Sequence, residues 1–448
     1  MAKRGAKSYV CGNCGHAQSS WAGRCPQCGE WNTLEEQLTA SGIAGSVASG
    51  NVLKSQSVDK SLKADAKRLS TGLSEVDDVL GGGFVAGSVN LLAGQPGIGK
   101  STLLLQLAYA VSAHSPVLYV SGEESAHQVG LRAGRLGTLR KDLQIVSSGS
   151  ADDIAATIAA GGFGLVVVDS IQAVSTAAIA SAAGTVSQIT NSSQLLTTAA
   201  KQSNTALVVV GHVTKEGSIA GPKVLEHMVD VVLQLEGDRY GGFKLLRAAK
   251  NRFGSTNEAG IFEMADNGLQ PVENPSAALL SERQASDGSI VLATLEGTRP
   301  LLVEVQALVN PTSYGYPKRA ASGFDLNRLN LLVAMLERRT SLRLADQDIY
   351  INIVGGLLVR EPAADLAICL AIGSAARGLQ LKKNAVVFGE VGLSGEVRHV
   401  PYVEKRLAEA KKLGFDGAIG PQARGRKPAG LNGVSDVRSA LNQFLDKG

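Results

Sequence analysis

The sequence predicts an α/β protein: a mostly parallel sheet covered by helices, with a small four-cysteine module before it and a second, α+β domain behind it. Three observations predict this. The apolar runs "SVNLLAG", "PVLYVSG", "GLVVVDS" and "TALVVVGH" recur between helical stretches, the pattern of parallel strands buried on both faces. Four of the five cysteines fall between Cys11 and Cys28. After the Pro/Asn/Ser-rich stretch 273–287 the text changes to a different mixture of strands and helices.

A chain of 448 residues has room for two or three domains with their own cores. Its 52 glycines and 4% aromatic content favour an α/β protein rich in glycine turns over a β-sandwich. The net charge of +4 permits nucleic-acid binding without requiring it. No apolar run reaches the 18 residues of a membrane span, and the basic start "MAKRGAKSYVCGNCG" has no apolar stretch behind it. Neither a spanning helix nor a signal peptide is therefore expected, and the expected location is cytoplasmic. Cys369, in "LAICLAIG", reads as a small core residue.

Residues 1–32 form the first module. Its spacing, Cys11-x2-Cys14-x10-Cys25-x2-Cys28, is that of two CxxC knuckles presenting four thiolates to one Zn²⁺. Four protein ligands leave no position for water, so the metal is expected to be structural. Trp21 and Trp31 are expected to pack over it. Residues 33–66, with "LTASGIAGSVASG", read as a flexible linker.

The parallel sheet occupies residues 67–272. Between its first strand and the apolar helix "TLLLQLAYAV" lies "GQPGIGKS", a phosphate-loop pattern in the context it needs. Gly94, Gln95, Pro96, Gly97, Ile98 and Gly99 would wrap phosphates with backbone N–H groups. Lys100 would reach the β/γ oxygens, and Ser101, followed by Thr102, would supply a hydroxyl to Mg²⁺. Asp169 ends the strand "LVVVDS", where a carboxylate can hold the Mg²⁺ shell. Glu123 and Glu124 follow "YVS"; either could polarise the attacking water, with Glu123 preferred, and helix capping is the alternative. His212 ends the fourth strand where a γ-phosphate sensor would stand, or is a core or capping histidine.

Beyond that strand, the polar segment "HVTKEGSIAGPKVLEHMVD" carries Lys215 and Lys223, suited to a phosphate backbone or to a solvated loop. A hairpin, "VVLQLEGDRYGGFKLLRAAKNRF", then adds strands to the sheet. It ends in "KNRFG", whose Lys250 and Arg252 are expected on the far side of the fold from the phosphate loop. From there they would act on a neighbouring subunit's nucleotide, as arginine fingers do, or they are two ordinary cations of an exposed turn. Residues 273–287 read as a second linker and 288–448 as the second domain.

This constellation resembles the bacterial RadA (Sms) family of DNA repair proteins along essentially the whole chain. The resemblance implies a RecA-like ATPase core, a zinc finger and a C-terminal Lon-protease-like domain. It further implies an ATP-driven, hexameric motor that acts on single-stranded DNA and branched recombination intermediates and promotes branch migration; recombinase or replisome proteins are implied as partners. Where Lon-type proteases carry a serine–lysine dyad, this sequence has Ala363 in "EPAAD" and Glu404 in "YVEKRL", so no proteolysis is expected. Lys318 and Arg319 in "YGYPKRA" are candidate DNA contacts, or a solvated basic turn. The competing class is a signalling or scaffold ATPase of the clock-protein type, which shares "STGLSEVDDVLGGG" and the phosphate loop but needs neither flanking domain.

Overall fold

In the computed structural model, which describes residues 7–11, 16–18, 20–31, 33–38, 57, 68–212, 224–237, 242–313 and 315–446, the chain forms two compact units, Met1–Asp65 and Ala66–Gly448. The first holds a three-stranded antiparallel sheet of β1 (Lys7–Cys11), β2 (Ala17–Gln18) and β3 (Leu34–Leu38), in the order β2-β1-β3. Strand β3 corrects the expected linker, since the stretch from residue 33 begins as part of the module. Cys11 pairs with Leu34 and Lys7 with Leu38, and Leu34 is buried beside Cys11 and Cys25. Of the rest of that linker, 39–56 and 58–66 lie outside the described residues.

The second unit starts with nine strands: β4 (Val89–Gly94), β5 (Val117–Ser121), β6 (Leu143–Ser147), β7 (Leu165–Asp169), β8 (Ala206–His212), β9 (Val231–Gly237), β10 (Phe243–Asn251), β11 (Ala259–Ala265) and β12 (Gly268–Pro271). They lie in the order β12-β11-β10-β9-β4-β8-β7-β5-β6. From β9 to β6 all neighbours are parallel, and β10 to β12 form an antiparallel wing. Alternate residues of the parallel strands feed two cores. Leu92, Val117, Tyr119, Val167 and Val208 face α1 (Ser74–Leu80), α2 (Lys100–Val111) and α3 (Ala126–Arg135). Leu91, Leu118, Val166 and Val209 face α4 (Ala151–Ala160), α5 (Val186–Ser203) and α6 (Val224–Met228). Burial on both faces is why these strands are written in unbroken apolar runs. The edge strand β6 has no such run: only Leu143 of its five residues is buried.

Next come α7 (Pro275–Leu280), β13 (Ser289–Glu296), β14 (Arg299–Pro311), β15 (Arg319–Ser322), α8 (Leu326–Arg339), β16 (Gln347–Ile353), a 3₁₀ turn (Pro362–Ala364) and α9 (Asp365–Arg377). After them follow β17 (Gln380–Leu381), β18 (Ala385–Val387), β19 (Glu390–Val391), β20 (Val397–Arg398), α10 (Val403–Lys412), β21 (Gly417–Pro421), β22 (Leu431–Val434), α11 (Val437–Phe444) and β23 (Leu445–Asp446). Seven strands form a mixed sheet, β15-β16-β14-β13-β18-β21-β22. Helix α9 is buried from Asp365 to Ser374, and burial pushes the Cys369 thiol well above its ordinary value, so it stays a neutral core group.

The expected second linker, 273–287, is also corrected: it contains helix α7. Asn274 accepts a hydrogen bond from the Ala277 N–H at 3.1 Å and Pro275 occupies the first helical position, so the Asn-Pro pair starts a helix instead of breaking one. Leu279 joins a core that runs across both sheets, from Leu245, Ala259 and Ile261 of the antiparallel wing to Ile290, Leu301 and Val303 of the second sheet. The tight β13–β14 turn reinforces this joint. Gly297 has φ +62°, and a Cβ there would lie 1.7 Å from the Asn257 carbonyl oxygen, so only glycine fits this close approach. Arg247 bonds Glu296 at 2.6 Å, and Arg299 bonds Glu75 of α1 at 2.6 Å.

Burial pushes the Glu296 carboxyl up to about 7 from an ordinary 4.5, against the pull of Arg247. The folded state therefore holds a proton between those values that the unfolded chain has lost. The associated stability is complete below the ordinary value and disappears as pH rises to 7, a change of about 3 kcal/mol. Glu296→Gln is expected to flatten this slope. Melting midpoints of both proteins across the same pH range check it, and parallel curves would contradict it.

Candidate functional site

The carboxyl ends of β4, β8, β7 and β5 share one sheet edge. Gly94 pairs with His212, Val168 with Val209, and Ser121 with Asp169, so the register alone brings the loops after these residues together. Gly94 is confined by β9, because a Cβ there would lie 2.6 Å from the Leu235 carbonyl oxygen. Gln95, Pro96 and Gly97 are exposed while Ile98 is buried, which anchors the loop and leaves its crest in solvent. Gly99, at φ +115°, turns the chain into α2, whose first turn presents Lys100, Ser101 and Thr102 with backbone N–H groups pointing back at the loop. The Lys100 ammonium donates to the Gly94 and Gln95 carbonyls at 2.9 and 3.0 Å. It is thus held across the mouth of the loop where phosphate oxygens would lie.

Asp169 and Glu123 meet on the neighbouring loops. The Gly122 N–H donates to the Asp169 carbonyl at 2.8 Å, the Ser170 hydroxyl donates to Glu123 Oε1, and the Tyr119 hydroxyl donates to Asp169 Oδ2 at 2.6 Å. Glu124 is drawn the other way, into an ion pair with Arg132 of α3. Capping of α3 falls to Ser125 in a reciprocal pair with Gln128. Ser170 and Tyr119 were not legible as site residues: one follows a strand-ending carboxylate and the other sits in an apolar run.

Lys250 and Arg252 stand elsewhere. Strand β9 lies directly against β4, and β10 runs antiparallel to it, so Lys250 pairs with Val232 and Asn251 with Val231, level with Asn90 at the start of β4. Four residues of strand, roughly 13 Å, separate this level from Gly94. The motif is thus on the opposite edge of the sheet from the phosphate loop, by strand direction and not by remoteness of its strand. Lys250 Nζ donates to the Glu226 and Val229 carbonyls, each at 2.7 Å, and Arg252 Nη1 meets Asp230 Oδ1 at 3.0 Å. Burial, then the charge of Arg252, lowers the Lys250 pKa. Asp230 is itself buried and accepts the Val89 N–H at 3.0 Å. Arg68 and Asn251 close the loop by donating to Phe253 and to the Val79 and Leu80 carbonyls.

In the first unit, the Cys11, Cys25 and Cys28 sulfurs lie within 4.8 Å of one another, and Cys11 Sγ is 3.6 Å from Cys28 Sγ. That spacing is near the edge of a tetrahedron with 2.3 Å Zn–S bonds, about 3.8 Å, and far from a disulfide. The three thiols fit zinc; Cys14 lies outside the described residues. Trp21 and Trp31 do not cover this site: they are 59% and 68% exposed, and Arg24 stands over the Trp31 ring. Lys215 and Lys223 lie outside the described residues, as does the His212 side chain. Lys318 is exposed and Arg319 half-buried at the start of β15, the edge of the second sheet. Ala363 is buried, Glu404 is exposed on α10, and the α10 side chain that reaches the segment before Ala363 is Arg406, paired with Glu361. No helix among the described residues is long and apolar enough to cross a membrane.

Known families match three stretches: an AAA domain over residues 54–218, a rubredoxin metal binding domain over 9–36, and subunit ChlI of Mg-chelatase over 332–424. Among solved structures, the RadB recombinase aligns with 46% of this chain and 100% of its own at TM-score 0.37 and 24% identity. A KaiC-like protein from Pyrococcus horikoshii aligns with 46% of this chain and 99% of its own at TM-score 0.39 and 22% identity. The parallel sheet, the Lys100 loop and the family matches together define a RecA-like phosphate-loop ATPase flanked by a zinc ribbon and a Lon-like domain. "DNA repair protein RadA" of Bacillus subtilis is 47% identical over 99% of this chain and 100% of its own length. That of Pseudomonas aeruginosa is 47% identical over 98% of both, and that of Escherichia coli is 45% identical over the full length of both. The chain belongs to the RadA family.

Proposed function

We propose that this protein is a DNA-stimulated ATPase motor of recombinational repair, which moves on single-stranded DNA and promotes branch migration. The observation that carries the reading is the convergence of the Lys100 loop, Glu123 and Asp169 on one sheet edge, in a chain whose relatives are DNA repair proteins. Bound ATP with Mg²⁺ supplies the phosphoryl group. Lys100 and the N–H groups of Gly97 to Thr102 would hold its oxygens, the Ser101 hydroxyl and the Asp169 carboxylate would serve the cation, and Glu123 would orient the attacking water. His212, beside Gly94, senses the γ-phosphate. Cys11, Cys14, Cys25 and Cys28 hold a structural zinc.

Lys250 and Arg252 act in trans, in a hexameric ring. The strand register supports this, since an ammonium at the opposite edge of the sheet cannot reach its own chain's phosphates. DNA contacts fall to Lys215, Lys223, Lys318 and Arg319, and the Lon-like domain, with Ala363 and Glu404 at the dyad positions, serves assembly and DNA binding without proteolysis.

ATP turnover measured with and without single-stranded DNA, followed by strand-extension assays on branched DNA, tests the reading. Severalfold stimulation and ATP-dependent extension are expected; no stimulation together with no DNA binding at low salt would sink it. In the same assay, mixing Lys100→Ala with Lys250→Ala subunits should restore part of the turnover that each lacks. No restoration assigns Lys250 to its own chain.

A further inference from the structure

At the inner wall of the nucleotide site, the ionisable side chain of Tyr119 has no role in the reading above. It lies on β5 opposite Val167 of β7, and Asp169 stands two residues further along that strand, on the same face. This is the face covered by α2, the helix that begins at Lys100. The ring is 1% exposed and packed in the apolar core, and its hydroxyl emerges at the sheet edge 2.6 Å from Asp169 Oδ2. We propose that Tyr119 is a positioning residue for the metal-side carboxylate: its hydroxyl locks the Asp169 rotamer and leaves the other oxygen to the Mg²⁺ shell. This deepens the ATPase reading and rests on it.

The physical case has three parts. A strand-ending aspartate without such a partner can turn freely about χ1 and χ2, and that freedom must be lost each time the cation binds. A hydrogen bond to an ionised acceptor is stronger than a neutral one, so the hydroxyl holds one rotamer in advance. The ring, pinned between strands and α2, makes this a rigid donor. Serine or threonine could not span the two residues of strand from the same position.

The test compares wild type with Tyr119→Phe, which keeps the ring and removes the hydroxyl, and with 4-aminophenylalanine at position 119, which keeps a donor. Fluorescent ATP-analogue binding is titrated against Mg²⁺, alongside turnover over the same range and melting of the nucleotide-free protein. Tyr119→Phe should require about tenfold more Mg²⁺ for half-maximal binding and turnover, as loss of a partner behind a metal-facing ligand does elsewhere. Its turnover at saturating Mg²⁺ and its melting midpoint should stay close to wild type, and the aminophenylalanine protein should recover the wild-type Mg²⁺ requirement. An unchanged Mg²⁺ requirement in Tyr119→Phe overturns the proposal, as does a changed midpoint with no Mg²⁺ effect. If Tyr119→Phe fails to fold, the aminophenylalanine protein decides alone, and loss of its Mg²⁺-dependent binding overturns the proposal. Asp169→Asn, run in parallel, separates the two levels: if it too leaves Mg²⁺ dependence intact, the assignment of Asp169 fails, not only that of Tyr119.

Discussion

Lys100→Ala is expected to lower ATP turnover at least about 100-fold, the scale on which loss of one preorganised positive group at a developing charge is felt. The ammonium is nearly buried, and its position is set by two carbonyls of the loop it serves. The cations nearest in function, Lys250 and Arg252, sit at the opposite sheet edge. The fold should tolerate the change, since the methylene stem is small beside the apolar core of α2 and Gln95 is exposed to water. Phosphate release and melting of the two proteins check both halves of the expectation. Turnover within about tenfold of wild type would remove Lys100 from the site.

The second large effect is on stability. Among the described residues Arg406 is the largest fully buried side chain, and every polar atom of its guanidinium has a partner. Nη1 donates to the Ala293 carbonyl and to Glu361 Oε2, Nη2 to Glu361 Oε1, and Nε to the Pro401 carbonyl. Glu361 in turn accepts from Leu295 N–H and the Thr294 hydroxyl at 2.9 and 3.0 Å. Arg406→Ala should cost about 3–5 kcal/mol, because it leaves Glu361 facing an apolar cavity and strips two carbonyls of their donor. Arg406→Met with Glu361→Leu should recover most of that loss, since replacing the pair removes the uncompensated charge. Both tryptophans lie in the other unit, so circular dichroism or proteolysis, not indole fluorescence, is the measurement to use. Equal destabilisation of the single and double variants would show that packing, and not the charge, is at stake.

Much of this molecule is written locally. The strands β4, β5, β7 and β8 follow from apolar runs, and the Lys100 loop from its glycines, because each obeys rules that act within a few residues. What was hidden depends on partners distant in the chain. Strand β3 is fixed by β1, more than twenty residues earlier, and β6 by its place at an edge, where a single buried leucine suffices. Helix α7 was masked by an Asn-Pro pair that breaks structure in one context and starts a helix in another. The location of Lys250 turns on the direction of β10, which a hairpin reverses; counting strands along the chain predicts distance from the phosphate loop but not the edge. On α10, the exposed Glu404 attracts attention by resemblance, whereas the buried Arg406 two positions later makes the contacts. The three metal-side thiols were visible from spacing alone; the exposure of Trp21 and Trp31 was not.

The core that runs from Leu245 and Ile261 to Ile290 and Val303 has a consequence for how such a chain can change over time. A domain that merely follows another can be shed or exchanged at little cost. Here, ending the chain at Pro271 would wet the underside of the antiparallel wing and leave Asn257 and Glu75 without the turn and the arginine that now meet them. The second sheet is therefore tied to the ATPase by shared apolar surface, whatever chemistry its own residues perform or lack. A neighbouring fold can in this way be kept for the surface it covers, because the ATPase has come to rest on it.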